Sequence, residues 1–335
     1  MKQLGIAVLG YGRIGRLHAD NVRASTNAEL TAVADPLFEA GLEPPSDIPW
    51  TTGVESVINH PEVDAVMICT PTPTHATLLE AAARAGKHVF CEKPIDLDPE
   101  VAERAILAAE RAGILLQVGF NRRFDPGFRR VRSALHGGEI GALCMLRVIS
   151  RDPAPPPIEY VHASGGLFLD MMIHDFDMVR FISGDEVDEV QAFGAVHVDP
   201  AIGAAGDIDT AVVSMRLSSG ALAVIENSRR AVYGYDQRVE AFGVDGAIEA
   251  GNRTASTTWL KTAAGIRSET PLYFFTERYE EAYRMELASF IDAIRNGTGA
   301  ECSGRDALAP LAIAMAAKRS LETGRPEQVR RAVRV

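Results

Sequence analysis

The sequence contains few cysteines, and the four that it has are far apart along the chain. Cys69, Cys91, Cys144 and Cys302 form no CxxC pair and no Cys/His cluster with the spacing of zinc ligands. They are typical of reduced thiols in the cytosol, and no metal site is predicted.

Long apolar runs and an excess of positive charge are also missing. No apolar run reaches the roughly 18 residues that a membrane span needs. The first ten residues, MKQLGIAVLG, lead directly into a glycine motif and leave no room for a signal peptide. The net charge of -11, from 45 acidic and 34 basic residues, disfavours nucleic acid and anionic membranes as partners. The sequence therefore predicts a cytoplasmic protein.

The first part of the chain alternates between strand-like and helix-like segments. From Leu4 to Phe120 there are five apolar runs, which are LGIAVLG, ELTAVAD, DAVMICT, HVFCEK and LLQVGF. Helical patterns separate them, except that a loop-rich stretch is expected between ELTAVAD and DAVMICT. This alternation predicts a parallel sheet with helices on both faces. In such a sheet the ligand lies at the carboxyl ends of the strands.

A GxGxxG motif joins the first strand to the first helix. Gly10 allows the tight turn, Gly12 lets the backbone approach a pyrophosphate, and Gly15 allows close packing of helix and strand. Asp35 follows at the end of the second strand, in the position that binds the adenosine ribose. The motif in this context predicts a Rossmann dinucleotide-binding domain; a purely structural turn is the alternative.

The segment from Ala24 to Ala83 contains neither lysine nor arginine. An NADP site normally places a basic residue just after the second strand, whereas the carboxylate of Asp35 would repel a 2′-phosphate. We therefore expect NAD as the cofactor. The alternative is that Asp35 only begins a turn before Pro36.

The pattern changes after about Ala142. Long alternating runs, EVDEVQAFGAVHV, DIDTAVVSMRL, ALAVIENSRR and QRVEAFGV, predict a large, open, mainly antiparallel sheet. Helices are expected near residues 277–295 and 305–323, followed by Gly297 and Gly324. We thus predict an α/β protein with a Rossmann domain at 1–121 and an α+β substrate domain at 122–335. Because few helices cover the sheet, a homo-oligomer is expected.

The segment GGLFLDMMIHDFDMVRF, residues 165–181, predicts a buried helix that carries charged residues. Asp170, His174 and Asp177 share one face, and charge on a buried helix must be paired or line a cavity. Asp170 lies one turn before His174 and could orient its imidazole as a general base. The alternative is a buried histidine whose hydrogen bonds are satisfied within the core and which has no catalytic role. Asp175 and Asp177 are interpreted as structural.

Lys93 ends an apolar strand in the segment FCEKPIDL. It is therefore expected at the carboxyl edge of the sheet, where the nicotinamide should lie. A lysine there can donate a hydrogen bond to a substrate hydroxyl and stabilise the developing alkoxide. The alternative is a surface lysine in a turn that is fixed by Pro94.

These features together resemble the glucose-fructose oxidoreductase/inositol dehydrogenase (Gfo/Idh/MocA) family, over essentially the whole chain. The resemblance is carried by GxGxxG, Asp35, CTPTPTH, CEKP and GGLFLDMMIHDFD. The longer strings GFNRRFDP, SRDPAPPP and NSRRAVYGYDQR are similar to bacterial inositol 2-dehydrogenases. The segment PLFEAGLEPPSDIPW, residues 36–50, departs from the family, because it is shorter and richer in proline than the usual helix and strand.

The resemblance implies roles for individual residues. It implies a catalytic trio and a homotetramer built through the sheets. Residues around the cofactor would be Gly10, Gly12, Arg13, Ile14, Gly15, Asp35, Thr70, Pro71, His75, Glu92 and Lys93. Residues at a polyol substrate would be Lys93, Arg123, Asp152, Asp170, His174 and Tyr233, with Tyr235 as a competitor of Tyr233. The catalytic trio would be Lys93, Asp170 and His174.

The expected reaction is NAD-dependent oxidation of a secondary hydroxyl, with myo-inositol giving its 2-keto product. His174, oriented by Asp170, would take the hydroxyl proton while Lys93 hydrogen-bonds the same oxygen. The nearest alternative is an enzyme of the same family for another inositol isomer or a pyranose. A non-catalytic NAD-binding regulator is a more distant alternative, since it would have no need for the trio.

Overall fold

The structure is a computed structural model, and it describes residues 2–330. The chain divides into two compact units. The first combines Met1–Asn121 with Glu281–Ala309, and the second combines Arg122–Glu280 with the chain from Pro310 on.

The first unit is built on a parallel sheet of six strands. Its strands are β1 (Leu4–Leu9), β2 (Ala28–Ala34), β3 (Trp50–Thr51), β4 (Ala65–Ile68), β5 (His88–Glu92) and β6 (Leu116–Gly119). The first four helices are α1 (Arg13–Ala24), α2 (Val54–Ile58), α3 (His75–Arg84) and α4 (Pro99–Ala112). The strand order is β3-β2-β1-β4-β5-β6, and every neighbouring pair is parallel. The order reverses between β1 and β4, which is where such sheets bind ligands.

The sequence explains this sheet directly. All of β4 and all but the first residue of β1 are buried, as expected for strands that are covered on both faces. Between β2 and β3 the described chain forms only a 3₁₀ turn, Pro36–Phe38, and no α-helix. The short, proline-rich segment identified in the sequence therefore lies beside the end of β2.

The second unit contains a sheet of seven strands and a separate hairpin. The strands of this half are β7 (Leu143–Arg151), β8 (Val187–Ala195), β9 (Thr210–Leu217), β10 (Leu222–Ser228), β11 (Asp236–Gly243), β12 (Ala247–Ala250), β13 (Trp259–Thr262), β14 (Gly265–Ser268) and β15 (Glu327–Gln328). The large sheet has the order β12-β11-β7-β10-β9-β8-β15, and β13 pairs with β14. Pairing is antiparallel except between β7 and β10, so the sheet is mixed but mainly antiparallel, as predicted.

The remaining helices follow in the second half of the chain. They are α5 (Pro126–His136), α6 (Ile158–Ser164), α7 (Leu167–Asp170), α8 (Ile173–Ser183), α9 (Pro200–Ala204), α10 (Phe275–Arg278), α11 (Glu280–Asn296) and α12 (Gly304–Thr323). Gly297 and Gly324 follow α11 and α12 with φ of +63° and +66°, the left-handed conformation expected after a helix. Helix α11 contributes Leu287, Phe290 and Ile291 to the core of the first unit. Each helix within residues 2–330 is too short or too polar to cross a membrane.

The predicted helix at 165–181 is wrong in its bounds, because two helices occupy the segment. Gly165 and Gly166 have φ of +84° and +85°, so the first helix begins only at Leu167. Helix α7 is a single turn that ends at Asp170, and α8 begins at Ile173. Met171 and Met172 keep right-handed helical angles, so Asp170 and His174 still lie about one turn apart.

One face of the large sheet is exposed. Helix α8 packs against β7 and α5 packs against β11, while residues on the other face remain accessible. Phe242, Met145 and Leu222 are in register across β11, β7 and β10, and all three are exposed. Phe193 on β8 pairs with Val212 on β9, and both are exposed. This set of five residues is called the open face below.

Candidate active site

The glycine motif forms a tight turn at the switch point of the first sheet. Gly10 has φ of +90°, and a Cβ there would lie 2.8 Å from the backbone of Cys69 and Thr70. A Cβ on Gly15 would collide with the carbonyl oxygen of Gly10. Gly12 is the N-cap residue before α1 and provides no side-chain cap, and nothing lies within 4 Å of the position that a Cβ would take there. The start of α1, with Arg13 and Ile14, therefore leaves backbone space suited to a pyrophosphate.

Both carboxylate oxygens of Asp35 accept hydrogen bonds from the backbone. Its Oδ2 accepts a hydrogen bond from Tyr11 N at 2.7 Å, and its Oδ1 accepts one from Leu37 N at 2.8 Å. The carboxylate thus connects the glycine motif to the turn after β2. A carboxylate has about four lone-pair sites, so acceptor capacity remains for ribose hydroxyls. Asp35 does begin a turn, because it is the N-cap residue of the 3₁₀ turn Pro36–Phe38, while its role at the cofactor stays a prediction.

His75 connects the loops that follow β4 and β5. Its Nε2 lies 2.6 Å from the carbonyl oxygen of Thr70, and its Nδ1 lies 2.8 Å from that of Pro94. The side chain is buried, so it fixes the two loops from within. Pro71 follows Thr70 and precedes the 3₁₀ turn Thr72–Thr74 that leads into α3. Lys93 is partly exposed and precedes Pro94 through a cis peptide bond.

Glu92 ends β5 and takes part in a buried polar cluster. Its Oε1 lies 2.8 Å from Nε2 of His18 on α1. A Cβ on Gly119, the residue that pairs with it on β6, would lie 3.0 Å from Glu92 Oε2. Glycine at this position therefore makes room for the carboxylate. Glu286 of α11 is fully buried nearby, and burial and the charge of Glu92 raise the pKa of its carboxyl well above the ordinary range.

In the second unit, the charged and polar residues of the segment 165–181, Asp170, His174, Asp175 and Asp177, lie in two environments. Asp170 and His174 are partly exposed, whereas most of their neighbours on α7 and α8 are buried. Asp177 is buried and forms an ion pair with Arg123 through Nε at 2.8 Å and Nη2 at 2.6 Å. Asp175 is also buried, and its Oδ1 accepts a hydrogen bond from Arg122 at 2.5 Å. Asp170 and His174 are thus accessible to solvent in part, while Asp175 and Asp177 are buried and bind two arginines, Arg122 and Arg123.

Asp152 follows β7, and the charges of Asp170 and Asp175 act on its carboxyl. Burial raises the pKa of Asp152 to about 7, and the charge of Asp170 acts in the same direction. Tyr235 is 6% exposed. Burial raises the pKa of its phenol well above the ordinary value; the charge of Arg122 lowers this pKa, and the charge of Asp152 raises it. Tyr233 is 42% exposed, and its hydroxyl donates to Asp236 at 2.6 Å and accepts from Arg151 at 2.9 Å. Tyr235, rather than Tyr233, is therefore grouped with Asp152.

Two contacts of Asp170 were not predicted from the sequence. The hydroxyl of Tyr160 donates to its Oδ1 at 2.8 Å, and Nη1 of Arg229 donates to its Oδ2 at 3.3 Å. Arg229 belongs to the string NSRRAVYGYDQR, but nothing in that string indicates a partner 59 residues away. Within the described residues, no group of three His, Cys, Asp or Glu side chains could hold a metal ion.

Comparisons with known proteins cover both halves of the chain. The model of the oxidoreductase family with an NAD-binding Rossmann fold matches residues 4–120, and that of the GFO/IDH/MocA C-terminal domain matches residues 128–249. A myo-inositol 2-dehydrogenase of Thermotoga maritima is 48% identical, covering 96% of this chain and 97% of the relative. An inositol 2-dehydrogenase of Rhizobium meliloti is 48% identical over 94% and 96%. A scyllo-inositol 2-dehydrogenase (NAD(+)) of Bacillus subtilis is 36% identical over 98% and 96%.

Solved structures agree with these relatives. A myo-inositol dehydrogenase of Corynebacterium glutamicum matches with a TM-score of 0.92 and 39% identity, covering 99% of this chain and 100% of that chain. A scyllo-inositol dehydrogenase of Lactobacillus casei, solved with NAD(H) and scyllo-inositol, matches with a TM-score of 0.88 and 31% identity, covering 98% of each chain.

The fold and the matching family model define an oxidoreductase with an NAD-binding Rossmann domain. Its Rossmann domain is followed by a domain with a mixed, mainly antiparallel sheet. The chain belongs to the Gfo/Idh/MocA family of oxidoreductases.

Proposed function

We propose that this protein is an inositol 2-dehydrogenase that oxidises myo-inositol to its 2-keto derivative with NAD. The observation that carries the proposal is the 48% identity, over nearly the whole of both chains, to two proteins named as inositol 2-dehydrogenases. The 36% identity to a scyllo-inositol 2-dehydrogenase makes scyllo-inositol the main alternative substrate.

In the proposed mechanism, three residues act on one hydroxyl group of the substrate. His174 takes the hydroxyl proton, and Asp170 orients its imidazole from one turn away. Lys93 donates a hydrogen bond to the same oxygen and stabilises the negative charge that develops there.

The cofactor is assigned to residues of the first unit. Backbone N–H groups at the start of α1 would bind the pyrophosphate, and Asp35 would accept hydrogen bonds from the adenosine ribose. His75 would fix the loops of Thr70 and Lys93 through the two carbonyl contacts described above. When bound, NAD would supply the acceptor for the hydride that leaves the carbinol carbon of the substrate.

Substrate hydroxyls would contact the group around Asp152. Its pKa of about 7 lets the Asp152 carboxyl either donate or accept a hydrogen bond near neutral pH, which suits polyol recognition. Tyr235 is preferred over Tyr233 as the substrate tyrosine, because Tyr233 is engaged by Arg151 and Asp236. Arg123 would contribute only through donors that its ion pair with Asp177 leaves available.

Initial rates of NADH formation test the proposed function. The purified protein is mixed with NAD and with myo-inositol, scyllo-inositol, D-glucose or D-xylose at one concentration and mildly alkaline pH. The fastest turnover is expected with myo-inositol. Faster turnover of scyllo-inositol or a pyranose would keep the mechanism and change the substrate. NAD binding without turnover of any compound would favour a regulator instead.

The open face is proposed as an interface between copies of this chain. Phe193 is 65% exposed, and exposed apolar groups on one side of a sheet favour association. Sedimentation velocity is expected to give a tetramer for the wild type and smaller species for Phe193→Asp. Ile266→Asp, on the exposed hairpin strand β14, is the control, because it also replaces an exposed apolar side chain by aspartate but lies outside the open face. A monomeric wild type would refute this assignment.

A further inference from the structure

Arg229 follows β10, and its side chain is almost completely buried. Only 1% of the side chain is exposed. Its Nη1 donates to Asp170 Oδ2 at 3.3 Å, and its Nη2 lies 3.8 Å from Asp207 Oδ2. Nε and Nη2 make no hydrogen bond within the described residues. Because a buried guanidinium is unfavourable without nearby carboxylates, its placement depends on these acidic partners.

Asp170 is restrained on both of its oxygens. Arg229 binds Oδ2, while the hydroxyl of Tyr160 donates to Oδ1 at 2.8 Å. The side chain of Asp170 is 12% exposed, so its outer edge remains accessible while its orientation is fixed. These two contacts prevent free rotation of the carboxylate.

Asp207 supports the same helix from its other end. Both of its oxygens accept from Leu167 N, at 3.1 and 3.0 Å, where α7 begins. A Cβ on Gly166 would lie 2.6 Å from Asp207 Oδ1, so glycine is needed for this approach. Arg229 therefore lies between the carboxylate at the start of α7 and the carboxylate at its end.

The backbone fixes Arg229 relative to Asp152 as well. Asp152 N donates to the carbonyl oxygen of Ser228 at 2.9 Å, and Ala231 N donates to that of Asp152 at 2.6 Å. Arg229 N donates to the carbonyl oxygen of Asp209 at 2.8 Å. The ionisable groups that act on or contact the Arg229 guanidinium are thus Asp152, Tyr160, Asp170 and Asp207.

We propose that Arg229 is a positioning residue of the active site, which acts through Asp170 on the base His174. This inference rests on the proposed function, in which Asp170 orients His174. The guanidinium holds the Asp170 carboxylate in one orientation and offsets the negative charge of three nearby carboxyl groups. Without that positive charge, protonation of His174 becomes more favourable, and the base is lost at a higher pH.

Three variants separate the charge of Arg229 from its geometry. Arg229→Met removes the charge, Arg229→Lys keeps it without the fork of donors, and Arg230→Met is the matched control. Arg230 is the adjacent residue and is exposed. We expect Arg229→Met to lower kcat at least tenfold and to move the acid limb of the kcat/KM profile upward by about half a pH unit or more. Arg229→Lys should restore the position of the limb and part of kcat, and Arg230→Met should match the wild type.

A titration of the His174 ring tests the inference without any substrate. Its ¹⁵N resonance is assigned by its loss in His174→Gln, and its titration midpoint is expected to rise in Arg229→Met but not in Arg230→Met. An unchanged midpoint would overturn the inference even for a protein inactive on every inositol. Conversely, failure of the wild type on the substrate panel would count against the proposed function alone.

Tyr160→Phe provides a second route if Arg229→Met does not fold. This variant removes one restraint on Asp170 and leaves every formal charge in place. A several-fold loss of kcat is expected, with the acid limb and the KM for NAD unchanged. Wild-type kcat in Tyr160→Phe would show that the orientation of Asp170 does not limit turnover, and the inference would fail.

Discussion

Glu286→Gln is expected to stabilise the protein, and to do so more strongly as the pH rises. Glu286 is fully buried in the first unit, and neither of its carboxyl oxygens has a hydrogen-bond partner within the described residues. Burial, together with the charge of Glu92, raises the pKa of this carboxyl well above its ordinary value of 4.5. The folded protein therefore keeps a proton on Glu286 that the unfolded chain loses.

The direction and size of the effect follow from proton linkage. When the folded pKa lies above the unfolded one, the free energy of unfolding falls as the pH rises between them. The loss is slightly more than about 1 kcal/mol per pH unit while the buried carboxyl stays protonated. Glutamine has nearly the same shape and does not ionise, so it removes this loss. The variant should therefore gain stability relative to the wild type with each pH step above the ordinary pKa of the carboxyl, for as long as Glu286 of the wild type stays protonated.

Thermal unfolding followed by circular dichroism at pH 5, 6, 7 and 8 tests this prediction. For a unit of this size, each kcal/mol corresponds to roughly 2 to 4 °C in Tm, so the gap between variant and wild type should widen steadily with pH. Asp292→Asn is the control, because Asp292 lies on the same helix and is exposed. A gap that is constant across the four pH values would refute the reasoning.

Three further predictions concern the predicted active site. His174→Ala should lower kcat roughly a hundredfold or more while NAD binding, measured calorimetrically, is retained; unchanged turnover would exclude His174 as the base. Lys93→Met should lower kcat without changing Tm, whereas an unfolded variant would point to a structural role for this lysine. Asp35→Asn should lower the ratio of kcat/KM with NAD to kcat/KM with NADP, because it removes the negative charge that repels a 2′-phosphate. A wild type that prefers NADP would contradict the role of Asp35.

The sequence predicted the first sheet well because its strands are buried on both faces. Such strands appear as continuous apolar runs, and the glycine motif marks the first turn without reference to distant residues. The alternation of β8 to β11 likewise predicted the second sheet. The parallel pairing of β7 with β10 was not predicted, because strand order depends on contacts between residues about 77 positions apart, such as Met145 and Leu222.

The candidate site was predicted by residue type but not by partner. The sequence placed Asp170 and His174 on one face, and the structure retains that spacing across the break at Met171 and Met172. It gave no indication that Asp170 contacts Arg229, or that Glu92 lies against His18 on α1. These contacts depend on tertiary packing, whereas periodicity describes only neighbours along one element.

The return of the chain to the first unit has a consequence for synthesis. Leu287 and Phe290 of α11 fill the core of this unit, and Val118 N of β6 donates to the carbonyl oxygen of Cys302 at 2.9 Å. A ribosome must therefore release the whole of residues 122–280 before the nucleotide-binding unit can close its core. Until then a nascent chain exposes the apolar surface that α11 later covers, and an expression fragment cut at residue 121 would expose it permanently.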